Sequence, residues 1–204
     1  IGGGPSGLTC AAFLSKKGVK VTIYEKKDFL GGLLVYGIPD FRLSKDIVKN
    51  TIKKILDLGI EVKYNQELGK NINLSELEEK YDSIYLAFGA NISSKMKIEG
   101  ENLDGVFGGN ELLENDTHPN YNEKTVIING GGNVAIDVAR TVKRKGAKEV
   151  IIVYRRAKEQ MPAEEKEVLD AEKEGVKILF QNNIVKINGI DKVQNIELIK
   201  TKSE

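Results

Sequence analysis

Apolar and polar residues alternate with two periods along this chain, and the period changes mark its elements. Residues 8–17 carry small and apolar side chains closed by Gly18, which predicts a helix. The run Val19-Lys20-Val21-Thr22-Ile23-Tyr24-Glu25 reads as a parallel strand. Residues 46–58 place Ile47, Ile52, Ile55 and Leu56 on one helical face. A strand follows at 60–64, a short helix at 74–81, and an apolar run at 83–88 that predicts a buried strand. Residues 28–44, rich in glycine and aromatics, and residues 91–123, which are polar, predict irregular structure, with a helical stretch at 109–115. Regular patterning then resumes: strand 125–129, helix 134–145, strand 149–154, a helix with Pro162 in its first turn running to Gly175, and strand 176–180. Residues 184–187 and 193–199 flank Asn188-Gly189-Ile190-Asp191 and predict a hairpin.

This pattern contains a repeat. Gly2, Gly4, Gly7, Lys17 and Gly18 recur, 128 positions later, as Gly130, Gly132, Ala135, Lys145 and Gly146. A two-residue insertion then aligns Tyr24-Glu25 with Tyr154-Arg155. Each copy fits the glycine turn that sets a dinucleotide pyrophosphate on a helix N-terminus. A repeated turn, helix and strand is far harder to obtain by chance than one glycine motif.

The two copies differ in charge where the second strand ends. Glu25 lies 21 residues beyond Gly4, close to the interval of about 20 expected for an acid that binds ribose hydroxyls. Arg155 fills the equivalent slot with Arg156 beside it; a carboxylate there would repel a ribose 2′-phosphate, and a guanidinium can grip it. Two dinucleotide sites of opposite preference imply electron movement between two cofactors, one of them NADP.

The fold expected is therefore α/β, with two Rossmann-like, three-layer dinucleotide-binding domains, an arrangement that resembles the glutathione-reductase type. The expected division is a first domain over 1–97, a linker over 98–123 and a second domain over 124–204. Both are expected to be incomplete in this chain, because Ile1 already abuts the first turn and the C-terminus stops just after a strand-like run.

Composition narrows the function. The net charge is +1, so nucleic acid is not an expected partner. No apolar run approaches membrane-spanning length, and no signal peptide is visible. The only cysteine, Cys10, is expected in a helix core; it excludes an internal disulfide, a CxxC pair and a four-cysteine cluster within this chain, and points to a reducing cytoplasm. The only histidine, His118, is expected to be solvated. No catalytic triad or metal cluster can be assembled.

The segments IGGGPSGLTCAAFLSKKG, GGLLVYGIPDFRLSK at 31–45, LAFGA at 86–90, and GGGNVAIDVARTVKRKGAKEVIIVYRR with MPA at 161–163 resemble those of the NADPH-dependent glutamate synthase small (beta) subunit and its relatives among the two-dinucleotide-binding flavoproteins. Phe88 departs from that family's usual Thr. The resemblance implies FAD on the first unit, with Gly2, Gly4, Pro5, Ser6 and Gly7 around its pyrophosphate and Glu25 on its ribose. Gly32, Leu33 and Arg42 would lie along the flavin and Leu68 near the adenine. Gly130, Gly131, Gly132, Asn133, Arg155 and Arg156 would hold NADPH. It further implies hydride transfer from NADPH to FAD and onward electron flow to iron–sulfur clusters, which would sit on segments absent here or on a large catalytic partner subunit. No side-chain acid or base is then required, and this chain alone is expected to be inactive. A reductase of the same fold serving ferredoxin, and a non-catalytic NADP(H)-binding module, remain as alternative readings.

Overall fold

The computed structural model describes residues 1–115 and 117–202. Asp116, in the expected linker, and Ser203 and Glu204, at the end of the expected second domain, lie outside the described residues. The chain divides into two compact units, residues 1–91 and 92–204.

In the first unit, α1 (Pro5–Ser15) starts at the glycine turn itself, with Pro5 at its first position. The fixed φ of proline suits that position, which has no intrahelical N–H bond to lose. β1 (Thr22–Tyr24) follows, then α2 (Leu33–Tyr36), α3 (Lys45–Leu56), β2 (Glu61–Lys63) and α4 (Leu74–Lys80). β1 and β2 pair in parallel, Ile23 opposite Val62. Leu8, Ala11, Ile23, Leu30 and Ile60 form a buried cluster between α1, α3 and the strands.

Three expectations fail in this unit. The four-residue α2 lies inside the segment expected to be irregular. The run 83–88 is extended but is not a buried strand: Tyr85, Leu86 and Phe88 are each about half exposed. Its ladder consists of the Ile1 amino group donating to the Tyr85 carbonyl and the Ala87 N–H donating to the Ile1 carbonyl. Gly2 N–H in turn donates to Tyr24 O at 2.8 Å, so Ile1 and Gly2 run between β1 and residues 85–87. Cys10 is only partly buried, not a core residue.

The second unit is built on three parallel strands in the order β3-β4-β5: β3 (Thr125–Asn129), β4 (Glu149–Tyr154) and β5 (Lys177–Phe180). One face is covered by α6 (Asn133–Arg144) and α7 (Glu165–Lys173), preceded in chain order by α5 (Gly109–Glu114). Ile136, Val142, Val150 and Ile152 are wholly buried here, each contributing about 1.5–3 kcal/mol of apolar transfer. The other face is covered by an antiparallel hairpin, β6 (Asn182–Gly189) and β7 (Val193–Lys200). Ile184 and Ile187 of β6 pack on Val153 of β4, together with Met96, Ile98, Leu103 and Val106. Helices, sheet and hairpin make three layers.

The expected linker is thus part of this unit. Ile187 N–H donates to Glu99 O and Val193 N–H to Asp104 O, both at 2.9 Å. Tyr121 joins the helix-side core, and His118 is not simply solvated: its Nδ1 lies 3.0 Å from the Tyr121 hydroxyl. The signal that polar composition hid is the spaced set Met96, Ile98, Leu103 and Val106. The hairpin also differs from expectation, since Asn188 and Gly189 belong to β6 and the turn lies at residues 190–192.

Pro162 precedes α7 instead of entering it. A short 3₁₀ turn (Lys158–Gln160) comes first, and the chain is extended at Glu164. The reason lies in the glycine turn described next, which takes the N–H groups of Ala163 and Glu164.

Candidate functional site

Both glycine turns follow one design. Gly2 has φ +104° and Gly130 φ +137°, a region closed to most L side chains. A Cβ on Gly2 would also overlap the Ala87 carbonyl. Replacing Gly130 by valine should therefore cost several kcal/mol, about 1–3 for the backbone alone, and lower the melting temperature of the second unit's strands more than those of the first. Amide exchange, resolved by segment, measures this.

The middle glycines are crowded. The space a Cβ would need at Gly3 is taken by Leu30 and Glu25, and at Gly131 by the Tyr154 ring, 2.5 Å away. The next glycines face open space: at Gly132 a Cβ would meet nothing within 4 Å, and at Gly4 only the Gly32 Cα at 3.9 Å. Gly4 and Gly132 are the N-cap residues of α1 and α6, so each open face adjoins a helix start with unsatisfied N–H groups and positive potential. Gly7 is buried, and its Cβ would overlap the Gly2 carbonyl. Ala135, its counterpart, is buried at the same place in α6.

A further parallel was not legible in the sequence. Gly31 N–H donates to Gly3 O at 2.8 Å, and Ala163 N–H donates to Gly131 O at 3.1 Å. In each unit a loop downstream of the charged strand end returns to the middle glycine of the turn. In the first unit this lays Gly32 against Gly4: a Cβ on Gly32 would come 2.9 Å from the Gly4 Cα. Leu33 begins α2 directly after that contact. In the second unit Glu164 N–H donates to Asn133 Oδ1 at 3.0 Å.

The charged ends differ as their sequences do. Glu25 is 7% exposed. Its Oε2 accepts from Gly3 N–H at 2.7 Å and its Oε1 from Lys27 N–H at 2.9 Å. A carboxylate offers about four acceptor positions, so two backbone donors leave capacity for hydroxyl donors. Arg155 and Arg156 are exposed and form no ion pair among the described residues. Their carbonyls are held instead: Gln181 N–H donates to Arg156 O at 3.1 Å, and the Thr201 hydroxyl donates to Arg155 O. Fixed backbone with unengaged guanidinium groups is a fitting arrangement for an anion.

The structure thus brings Gly2, Gly4, Pro5, Gly7, Glu25 and Gly32 together, and separately Gly130, Gly131, Gly132, Asn133 and the Arg155-Arg156 strand end. Ser6 Oγ lies 2.9 Å from the Tyr85 hydroxyl. Arg42 lies in the turn at 39–43, its N–H donating to Pro39 O. Leu68 packs with Tyr24, Ile72 and Leu77. Among the described residues no group of His, Cys, Asp and Glu is arranged to hold a metal ion, and no helix is long and apolar enough to cross a membrane.

The family model for pyridine nucleotide-disulphide oxidoreductases matches residues 1–204. The chain belongs to that family. With a single cysteine it carries no disulphide pair of its own. It is 35% identical to the glutamate synthase [NADPH] small chain of Escherichia coli K12, aligning over 99% of this chain and 46% of that one. It is 41% identical to the NADP(+)-dependent formate dehydrogenase subunit beta of Moorella thermoacetica, over 86% of this chain and 26% of that one. The chain therefore spans less than half the length of these relatives. Among solved structures, Mycobacterium tuberculosis FprA in complex with NADPH superposes with a TM-score of 0.85 at 20% identity, covering 98% of this chain and 62% of that one. At that identity the match speaks for the pyridine nucleotide-disulphide oxidoreductase fold alone: two Rossmann-like dinucleotide-binding units.

Proposed function

We propose that this chain is the nucleotide-handling part of a larger NADPH-dependent flavoprotein of the glutamate synthase small-subunit kind. FAD would occupy the first unit and NADPH the second. The domain boundary then falls at Asn91/Ile92, the division between the compact units, and not at residue 97. One observation carries the reading: a buried carboxylate stands at the strand end of one glycine turn, and two exposed, unpaired guanidinium groups stand at the same place in the other.

FAD and NADPH, when bound, would supply the redox chemistry: hydride transfer to the flavin and release of electrons to iron–sulfur centres. The chain's own residues bind and orient. Gly4 and Gly132 keep Cβ atoms away from the pyrophosphates, and the first turns of α1 and α6 face their charge. Glu25, fixed by two backbone donors, accepts from ribose hydroxyls of FAD. Arg155 and Arg156 take the 2′-phosphate of NADPH. Gly32, Leu33 and Arg42 would line the flavin side of FAD and Leu68 its adenine. No side chain is asked to move a proton. The iron–sulfur centres would belong to other segments or to a partner subunit; the relatives are themselves a small chain and a subunit beta of larger enzymes. A reducing cytoplasm suits a chain with one unpaired cysteine.

The test is an assay of the full-length protein with NADPH and an artificial one-electron acceptor. Flavin-dependent reduction that is faster with NADPH than with NADH is expected. Tight NADPH binding with no electron transfer would leave a binding module and remove the enzyme.

A further inference from the structure

In the second unit, the loop after the arginines is closed on itself and then fastened to the glycine turn. Tyr154, whose ring lies against Gly131, donates its hydroxyl proton to Gln160 O at 2.6 Å. Gln160 N–H donates to Ala157 O, and Ala157 N–H donates to Gln160 Oε1 at 3.3 Å. Residues 157–160 are thereby a compact knot adjoining Arg156. The far end of the loop reaches the turn through two consecutive N–H groups, Ala163 to Gly131 O and Glu164 to Asn133 Oδ1.

The first unit solves the same problem without a side chain. There Pro5 holds the helix position that Asn133 holds in the second, and the returning loop meets the turn through Gly31 N–H and a glycine-on-glycine contact, Gly32 on Gly4. The second loop brings Glu164 where the first brings Gly32. A residue with a side chain cannot repeat so close a backbone approach, but its N–H can be caught by an acceptor of the right reach. Asn133 is that acceptor. Because its partner is an N–H, the amide oxygen faces the loop.

We propose that Asn133 is a positioning residue for nucleotide selectivity: its Oδ1 fastens residue 164 to the glycine turn and so fixes the 157–164 loop that directly follows Arg155 and Arg156, without itself touching the nucleotide. This rests on the second unit being an NADPH site. It separates two roles for Asn133. A side chain that contacts the pyrophosphate acts on NADPH and NADH alike, since they share it. One that acts through the arginines changes the preference between them.

The experiment measures NADPH and NADH dissociation constants for the full-length protein and for its Asn133→Ala and Asn133→Asp variants. Loss of one exposed neutral hydrogen bond scales to about threefold to tenfold, so Asn133→Ala should lower the NADPH-over-NADH preference by that factor, with NADH affinity changed less than about twofold. Asn133→Asp keeps an acceptor of the same reach. Its added charge weakens both nucleotides through the shared pyrophosphate, and its preference ratio should stay near that of the parent. Equal losses for both nucleotides in Asn133→Ala, an unchanged ratio, or a ratio in Asn133→Asp as low as in Asn133→Ala would each overturn the proposal. In an Arg155→Ala, Arg156→Ala background the Asn133→Ala effect on the ratio should vanish. If the parent protein itself shows no preference for NADPH, the reading of the site fails, and that outcome is distinct from all of these.

Discussion

Changing Arg155 to alanine lowers NADPH affinity by about tenfold to a hundredfold and leaves NADH affinity within about twofold. Hydrogen bonds to charged groups contribute about 1.5–3 kcal/mol each, and a guanidinium can meet two phosphate oxygens at once. The side chain is exposed, so water and salt compete and the smaller factor applies at high ionic strength. Nothing in the fold depends on this side chain, because the tie to Thr201 uses the Arg155 carbonyl. A conservative Arg155→Lys change keeps the charge, loses the two-pronged geometry and should fall between the two. Titration of each nucleotide against the full-length variants gives the answer directly. Equal losses for NADPH and NADH would show that the arginine meets a group common to both.

The second large effect concerns stability. Arg140 projects from α6 and its side chain is 7% exposed. It pairs with Glu167, and its Nη2 lies 2.8 Å from Glu174 Oε1. Arg144 approaches the same oxygen at 2.7 Å. The two helices are thus joined by two arginines and two glutamates, with Glu167 and Glu174 only 14% and 22% exposed. Removing one partner from such a pair leaves charge in a poorly hydrated place, so Arg140→Ala should destabilise the second unit by about 3–5 kcal/mol. Arg140→Met, which fills the volume, should still remove the guanidinium from Glu167 and leave Arg144 as the ion-pair partner of Glu174. Adding Glu167→Gln and Glu174→Gln to it should recover a large part of the loss.

Acidity tests the same cluster. Hydrogen bonds from Arg144, and then from Arg140, hold the Glu174 carboxyl below its ordinary value of 4.5 against the opposing effect of burial. A carboxylate with a depressed value in the folded state contributes stability above its unfolded value. That contribution is lost as pH falls from about 4.5 through the lower folded value. The stability gap between parent and Arg140→Ala should therefore be full at pH 7 and narrow below pH 4.5. Denaturant melts at the two pH values, read on amides of α6 and α7, measure the gap.

How far the sequence disclosed this molecule depends on which physics each residue expresses locally. The doubled turn was legible because Gly2 and Gly130 take a positive φ that other residues rarely adopt, and Gly4 and Gly132 leave the space before each helix start open. The sign change from Glu25 to Arg155 was legible because the alignment of the two copies locates it. The hairpin over the sheet and the strands β3 to β5 followed from apolar periodicity. What stayed hidden was set by distant partners. The loop returns at Gly3 and Gly131 are backbone bonds and leave no compositional mark. Asn133 read as a member of the phosphate motif, and its link to Glu164 joins residues 31 apart. The polar segment 91–123 concealed the spaced apolar residues that pack it onto the hairpin. The run at 83–88 has strand composition, yet its burial depends on neighbours alongside it, and its backbone ladder runs to Ile1.

The carbonyls of Arg155 and Arg156 rest on Thr201 and Gln181, the two ends of the hairpin that covers the sheet. A ligand that immobilises those arginines therefore also stiffens a strand crossover on the opposite layer, and any force that loosens the crossover weakens the grip. If Arg155 and Arg156 hold the nucleotide as proposed, cofactor choice and the integrity of the β-layer form one thermodynamic cycle in this unit, and mutations far from the glycine turn should shift selectivity without altering a single phosphate contact.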